Sequence, residues 1–236
     1  MLARDEERNL PRALTSLPRG MQVLVIDARS RDRTVEFARA AGAQVIERDW
    51  TGFLDTRRIA ASNVATPWTF MIDADEALDD ALRDAILCAD GDVDGYIVRR
   101  STYYCGKALR MWKNEPLVRL FRTGRALLKG SCAAGGSAQV HERWVCEGPV
   151  AELRGTLLHY SYADAASYRA KFERYTDLEA AALHASPLRT AQEWLLVWPR
   201  WLRLLLLKGA LLDGGRGIAA AYWSARYRYV ACRKAR

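Results

Sequence analysis

Phe70-Met71-Ile72-Asp73-Ala74-Asp75-Glu76 is an apolar run that delivers two carboxylates, one residue apart, at its C-terminal end. In an extended segment side chains alternate with a period of two, so Asp73 and Asp75 are expected on the same side with the small Ala74 between them. Two acidic groups on the rim of a buried strand repel each other. A hard cation with oxygen ligands, Mg2+ or Mn2+, is the usual compensation. Taken alone, the same letters also describe a strand ending in a solvated acidic cap, with Glu76, Asp79 and Asp80 in the first turn of a helix.

Working outward, short apolar runs alternate with helical segments. Asn9 to Leu17 reads as a helix, and Gln22-Val23-Leu24-Val25-Ile26 as a strand ending at Asp27. Arg33 to Ala41 is the next helix, stopped by Gly42. Ala43-Gln44-Val45-Ile46 is a strand, Asp55 to Ala65 a helix, and Pro67 to Ile72 the strand that carries the carboxylates. Such alternation predicts a parallel sheet covered on both faces, which binds ligands beyond the carboxyl ends of its strands. Asp27, Asp73 and Asp75 all lie at such ends. Beyond residue 90 the pattern loosens. Gly95-Tyr96-Ile97-Val98 reads as a further strand, and the small-residue stretch 129–139 as a mobile loop and candidate lid. From about Ala163 the spacing is helical, with breaks at Pro187, Pro199 and Gly214-Gly215. The expected organisation is an α/β domain over residues 1–160 and a helical, basic, Trp-rich extension over 161–236.

The formal charge of +8 is unevenly spread over the 236 residues. Residues 1–188 carry 26 Lys and Arg against 26 Asp and Glu, while residues 189–236 carry 10 against 2. The whole excess thus sits in the last 48 residues, with Trp194, Trp198, Trp201, Trp223 and the run Leu204-Leu205-Leu206-Leu207. Pro199, Arg200, Arg203 and Lys208 interrupt any stretch approaching the roughly 20 apolar residues of a membrane span. Two readings fit: a segment lying on anionic lipid, or an amphipathic helix pair packed on the core with a solvated basic face. Charge confined to a hydrophobic tail without a recognition motif argues against a nucleic-acid partner. Five cysteines without CxxC spacing argue against zinc or a disulfide framework. The opening Met1-Leu2-Ala3-Arg4-Asp5-Glu6-Glu7 turns charged at once and does not read as a signal peptide. The expected location is the cytoplasm, with peripheral attachment to the inner face of the cytoplasmic membrane.

In order along the chain, Arg4-Asp5-Glu6-Glu7-Arg8-Asn9-Leu10, Val25-Ile26-Asp27 with Ser30, Asp32 and Thr34, Trp50-Thr51-Gly52-Phe53, and Ile72-Asp73-Ala74-Asp75-Glu76 resemble glycosyltransferase family 2, the inverting GT-A enzymes that use nucleotide-diphosphate sugars. The resemblance extends to Arg119-Leu120-Phe121-Arg122, Val140-His141-Glu142, His159-Tyr160-Ser161-Tyr162, Tyr175-Thr176 and Leu211 to Gly217. These stretches look like the subgroup of bacterial lipopolysaccharide-core β-glucosyltransferases. The resemblance implies a GT-A, Rossmann-like, mostly parallel sheet flanked by helices. The strand that should precede Arg4 is missing from it. Ala28, Arg29, Arg31 and Arg33 replace the commoner small residues after Asp27, and Arg58 stands where Asn is frequent. These departures bear on nucleotide affinity more than on fold.

By resemblance, Asp27 contacts the base or ribose with Glu6 or Glu7 nearby, Asp75 ligates the metal, and Asp73 holds the ribose or a metal-bound water. Arg57 keeps the basic residue of the pattern, and Arg119 and Arg122 are candidates for the diphosphate, as against charge on a strand flank. Inversion requires a base opposite the leaving group, and Glu142 falls where the subgroup places its acidic residue. His141 and His159 are read as structural. The implied activity is metal-dependent transfer of a sugar, glucose from UDP-glucose, to a lipid-linked glycan such as the lipopolysaccharide core. The alternative is an impaired relative that binds nucleotide sugar or lipid without transfer.

Overall fold

Alternating burial along three short segments fixes the centre of the sheet. Val25, Ile72 and Leu120 pack into one apolar cluster while their neighbours Ile26, Met71 and Phe121 pack into another, so each segment is buried on both faces. The computed structural model describes residues 1–132 and 139–236. The chain runs β1 (Leu2–Ala3), α1 (Leu10–Ser16), β2 (Leu24–Asp27), α2 (Thr34–Ala40), β3 (Gln44–Glu47), α3 (Phe53–Ser62), β4 (Trp68–Phe70), β5 (Glu76–Leu78) and α4 (Asp80–Leu87). It continues through β6 (Gly95–Tyr104), β7 (Lys107–Ala108), β8 (Glu115–Arg122), β9 (Ala126–Cys132), β10 (Gln139–Cys146) and β11 (Val150–Tyr162). Four helices close it: α5 (Ala165–Ala181), α6 (Pro187–Leu195), α7 (Val197–Leu206) and α8 (Gly214–Lys234).

β1, β2 and β3 are parallel, with Ala3 opposite Asp27 and Asp27 opposite Glu47. The strand expected to be missing is therefore represented by two buried residues, Leu2 and Ala3. Leu2 also bridges Asp73 in parallel, which joins this sheet to the carboxylate segment. Beyond that point the parallel expectation fails. A second sheet has the order β4-β8-β6-β11-β5, and the β4–β8, β8–β6 and β11–β5 pairs are antiparallel. Of the neighbours in it, β6 and β8 are joined by residues 105–114, too short a connection for the helical crossover that a parallel pair requires. β9 and β10 pair separately. The lid expected over 129–139 falls largely on residues 133–138, outside the described residues, as does the His141 side chain.

Two compact units result. The first comprises residues 1–101, 114–129 and 142–160. In it α1, α2 and α4 cover one sheet face through Leu10, Ala13, Ala38 and Leu82, and α3 covers the other through Ala60. Asp79 caps α4 by accepting a hydrogen bond from Leu82 N at 2.8 Å. Gly155 on β11, at φ 93°, lies against that cap, where a Cβ would collide with the Leu82 backbone and the Asp79 carboxylate. The second unit comprises residues 102–113, 130–141 and 161–236. Its helices α5, α6 and α7 pack on α8, whose Gly217, Ala220, Ala221 and Ala225 are buried and let neighbours approach closely. Tyr168 and Phe172 of α5 and Leu205 of α7 fill the remaining space with Tyr104 and Val230. Asp213 is buried before α8 and accepts a hydrogen bond from Arg110 N at 2.6 Å. Among the described residues no helix is long and apolar enough to cross a membrane.

Candidate active site

Asp73 and Asp75 lie in a tight turn between β4 and β5, where Glu76 N donates to Asp73 O at 3.0 Å. The period-of-two argument for a shared side does not apply to a turn, and the two carboxylates have different surroundings. Asp73 faces cations. Arg57 Nη2 lies 2.9 Å from its Oδ1 and 3.0 Å from its Oδ2, and Arg119 Nη2 lies 3.4 Å from Oδ2. Asp75 Oδ2 instead sits 3.3 Å from His159 Nε2. β11 positions that histidine: His159 is paired with Glu76 across the antiparallel β5–β11 ladder, and Tyr160 N donates to Asp75 O at 2.8 Å.

Glu76, which the alternative reading put in a solvated helix turn, is a fully buried strand residue. Its Oε1 accepts from Arg119 Nη2 at 2.8 Å and from Arg100 Nη1 at 3.2 Å, and its Oε2 accepts from Asp73 N at 3.0 Å. Asp79 and Asp80 do occupy the expected cap and first turn of α4. Arg100 continues outward to Glu115 Oε2 at 2.6 Å. On the other side Arg57 Nε donates to Glu142 Oε1 of β10 at 3.0 Å. Three guanidinium groups thus alternate with the carboxylates of Asp73, Glu76, Glu142 and Glu115. Such pairing is the condition under which charges persist in a core.

Burial alone would lower the Arg57 pKa, but the carboxylates of Asp73 and then Glu142 override it and raise it further. Burial likewise pushes Asp73 upward, and Arg57 followed by Arg119 more than offsets this, holding its carboxyl far below the usual range. Arg57 Nη1 and Arg119 Nε are buried without a hydrogen-bond partner among the described residues. Two guanidinium nitrogens at the heart of the cluster are thus left without a protein acceptor among the described residues.

The other expected site residues are placed differently. Asp27 is fully buried, and Ser30 occupies both of its oxygens through N, at 2.8 Å, and Oγ. One strand, β1, separates it from the Asp73 segment, a lateral offset of about 10 Å. Glu6 and Glu7 lace the β1–α1 loop to the β2–α2 loop: Glu6 N donates to Thr34 Oγ1 at 2.8 Å, Glu7 N to Asp32 Oδ2 at 3.0 Å, and Arg33 N to Glu7 Oε2 at 3.2 Å. Arg122 does not join the cluster. Its Nε donates to Val93 O at 2.9 Å and its guanidinium stacks 4.8 Å from the Trp68 ring. His159 and Arg100 are the residues of this site that sequence reasoning did not place there. Both come from long strands, Arg100 24 positions from Glu76 and His159 84 from Asp75, and only the sheet register brings them to the carboxylate turn.

Asp75 and His159 present a carboxylate oxygen and an imidazole nitrogen, both able to ligate a divalent cation. No group of three or more metal-binding side chains occurs among the described residues. A partial protein set is what a cation completed by substrate phosphates requires. Asp73, expected as the second ligand, is engaged by Arg57 and Arg119.

A model of the Glycosyl transferase family 2 domain matches residues 1–143. The chain is 30% identical over 241 residues to the lipopolysaccharide core biosynthesis glycosyltransferase LpsC of Rhizobium meliloti, covering 98% of this chain and 88% of that protein. An uncharacterized glycosyltransferase of Rickettsia typhi is 32% identical over 124 residues, 51% of this chain, of which the match spans 41% of the relative. Among solved structures, a mannosyltransferase of Pyrobaculum calidifontis in complex with GDP-Man and Mn2+ superposes with a TM-score of 0.52 at 15% identity, covering 99% of this chain and 85% of that one. That likeness bears on the fold, a GT-A-like α/β architecture.

Proposed function

Because the chain belongs to glycosyltransferase family 2, we propose that it transfers a sugar with inversion from a nucleotide-diphosphate donor, glucose from UDP-glucose, to the lipopolysaccharide core or another lipid-linked glycan. The similarity to LpsC supports the acceptor class. The observation that carries the chemistry is the Asp73–Arg57–Glu142 chain, which ties the carboxylate turn to an acid 85 positions from Arg57.

In this reading Glu142 is the base. Arg57 Nε engages Oε1 and orients the group, while Oε2 accepts the proton of the acceptor hydroxyl. The acceptor oxygen then bonds to the sugar C1 as the bond from C1 to the diphosphate oxygen breaks, and the electron pair leaves with the diphosphate. Arg57 Nη1 and Arg119 Nε are the donors available to that growing charge. Asp75 with His159 would hold a divalent cation, Mg2+ or Mn2+, which when bound neutralises charge on the leaving diphosphate. Asp73, fixed by two arginines, positions Arg57 rather than ligating. Asp27, Glu6 and Glu7 shape the nucleoside end through the laced loops, and Arg122 anchors residues 91–93. The enzyme works at the cytoplasmic face of the membrane that carries its acceptor.

The test is Glu142→Gln, which should abolish sugar transfer while leaving UDP affinity within twofold of wild type, about the scatter of such measurements. Retained turnover would remove Glu142 as the base. The full engagement of Asp73 and Asp27 by protein groups favours a second reading, binding of nucleotide sugar without transfer. That reading gains if the wild type binds UDP but neither hydrolyses nor transfers UDP-glucose with any acceptor.

A further inference from the structure

Helix α7 carries a wide apolar arc of which only one part is buried. Val197, Trp201, Leu204 and Leu205 face the core of the second unit, with Val197 and Leu205 buried. The rest of the arc is Trp198, Leu202 and Leu206, spaced by four and therefore stacked along one face. Their exposures are 52%, 53% and 61%. Leu196, the one residue between α6 and α7, keeps near-helical dihedrals of φ −75° and ψ −10°, so Trp194 of α6, 49% exposed, extends the stripe by one more step. Leu207 and Leu212 follow, 79% and 68% exposed. A monomeric soluble surface rarely carries so dense an apolar stretch without a partner.

The charges beside the stripe are of one sign. Arg203, Lys208 and Arg216 are exposed. The only acids between residues 186 and 216 are Glu193, paired with Arg200 at 2.5 Å, and Asp213, which is buried. Two copies meeting by this face across a two-fold axis would bring basic rim against basic rim. A surface of anionic headgroups over an apolar interior complements both features at once, and tryptophan favours that boundary.

We propose that the α6–α7 face, from Trp194 to Leu207, seats this protein in the interface of an anionic lipid bilayer, with Trp198, Leu202 and Leu206 inserted and Arg203 and Lys208 at the headgroups. The inference rests on the surface alone and stands whether or not the sugar-transfer reading holds.

Flotation of the full chain with vesicles tests it, using phosphatidylcholine alone and phosphatidylcholine mixed with phosphatidylglycerol. The wild type floats with the anionic vesicles. Trp198→Ser/Leu202→Ser/Leu206→Ser, with an unchanged circular dichroism melt, loses more than about tenfold in partitioning. Arg203→Glu/Lys208→Glu loses the preference for phosphatidylglycerol. Wild-type protein that stays in the aqueous fraction overturns the proposal, as does a triple variant that floats like wild type. If the wild type is dimeric in light scattering and the triple variant monomeric, the face is a subunit contact and the proposal is wrong.

Discussion

Arg57→Met removes the cation shared by Asp73 and Glu142 while keeping the volume of the side-chain stem. Arg57 makes contacts of 2.9 and 3.0 Å to the two oxygens of Asp73 and 3.0 Å to Glu142, from a side chain only 8% exposed. Deleting one member of a buried ionic network leaves the partners unpaired and costs about 4 kcal/mol. At roughly 3 °C per kcal/mol for a chain of this length, Tm falls by on the order of 10 °C. Asp73 retains Arg119 at 3.4 Å, whereas Glu142 loses its recorded partner, so most of the loss is expected from Glu142. Glu142→Gln should then relieve part of the penalty. In urea unfolding, the double variant should be more stable than the sum of the singles by about 1–3 kcal/mol. Additive losses, or an Arg57→Met variant as stable as wild type, would refute the account of Arg57 as the link between turn and base.

Gly155→Ala forces a Cβ at φ 93° into the α4 cap, and a loss of about 1–3 kcal/mol should show in the thermal melt of an otherwise soluble protein. Arg122→Ala should lower Tm yet leave UDP affinity unchanged in calorimetry, because Arg122 holds the Val93 carbonyl and Trp68. Asp32 is pushed up by burial, but hydrogen bonds from Thr34 and Glu7 outweigh this and depress its pKa. A depressed carboxyl stabilises above its unfolded value, near 3.9, and that contribution is lost as pH falls through the folded one. The Tm gap between wild type and Asp32→Asn should therefore be present at neutral pH and close in acid; a gap that widens on acidification would contradict it.

The N-terminal half was legible because its strands are short and apolar and alternate with helices, one of them stopped by Gly42. Each expected element there recurs within a few residues. β1 was not legible, since two residues carry no periodicity. The turn at Asp73 was mistaken for an extended rim because Ala74 leaves no local signal for either geometry. β6 and β8 place Arg100 and Arg119 in the interior, against the rule that apolar residues mark the buried side. Their pattern therefore looked aperiodic. His159 could not be linked to Asp75 from spacing, because only the β5–β11 register joins them. α7 was legible as an amphipathic helix, but its apolar arc is wider than the core it covers, and spacing alone does not say which part stays exposed.

The central claim is that the Asp73–Asp75 turn binds the donor diphosphate with a cation held by Asp75 and His159. Calorimetry of UDP binding with and without Mn2+, on wild type and Asp75→Ala, tests it most directly. Tighter binding with Mn2+ in wild type, and no effect of Mn2+ in Asp75→Ala, is the predicted result. UDP binding that ignores both Mn2+ and the substitution would contradict it.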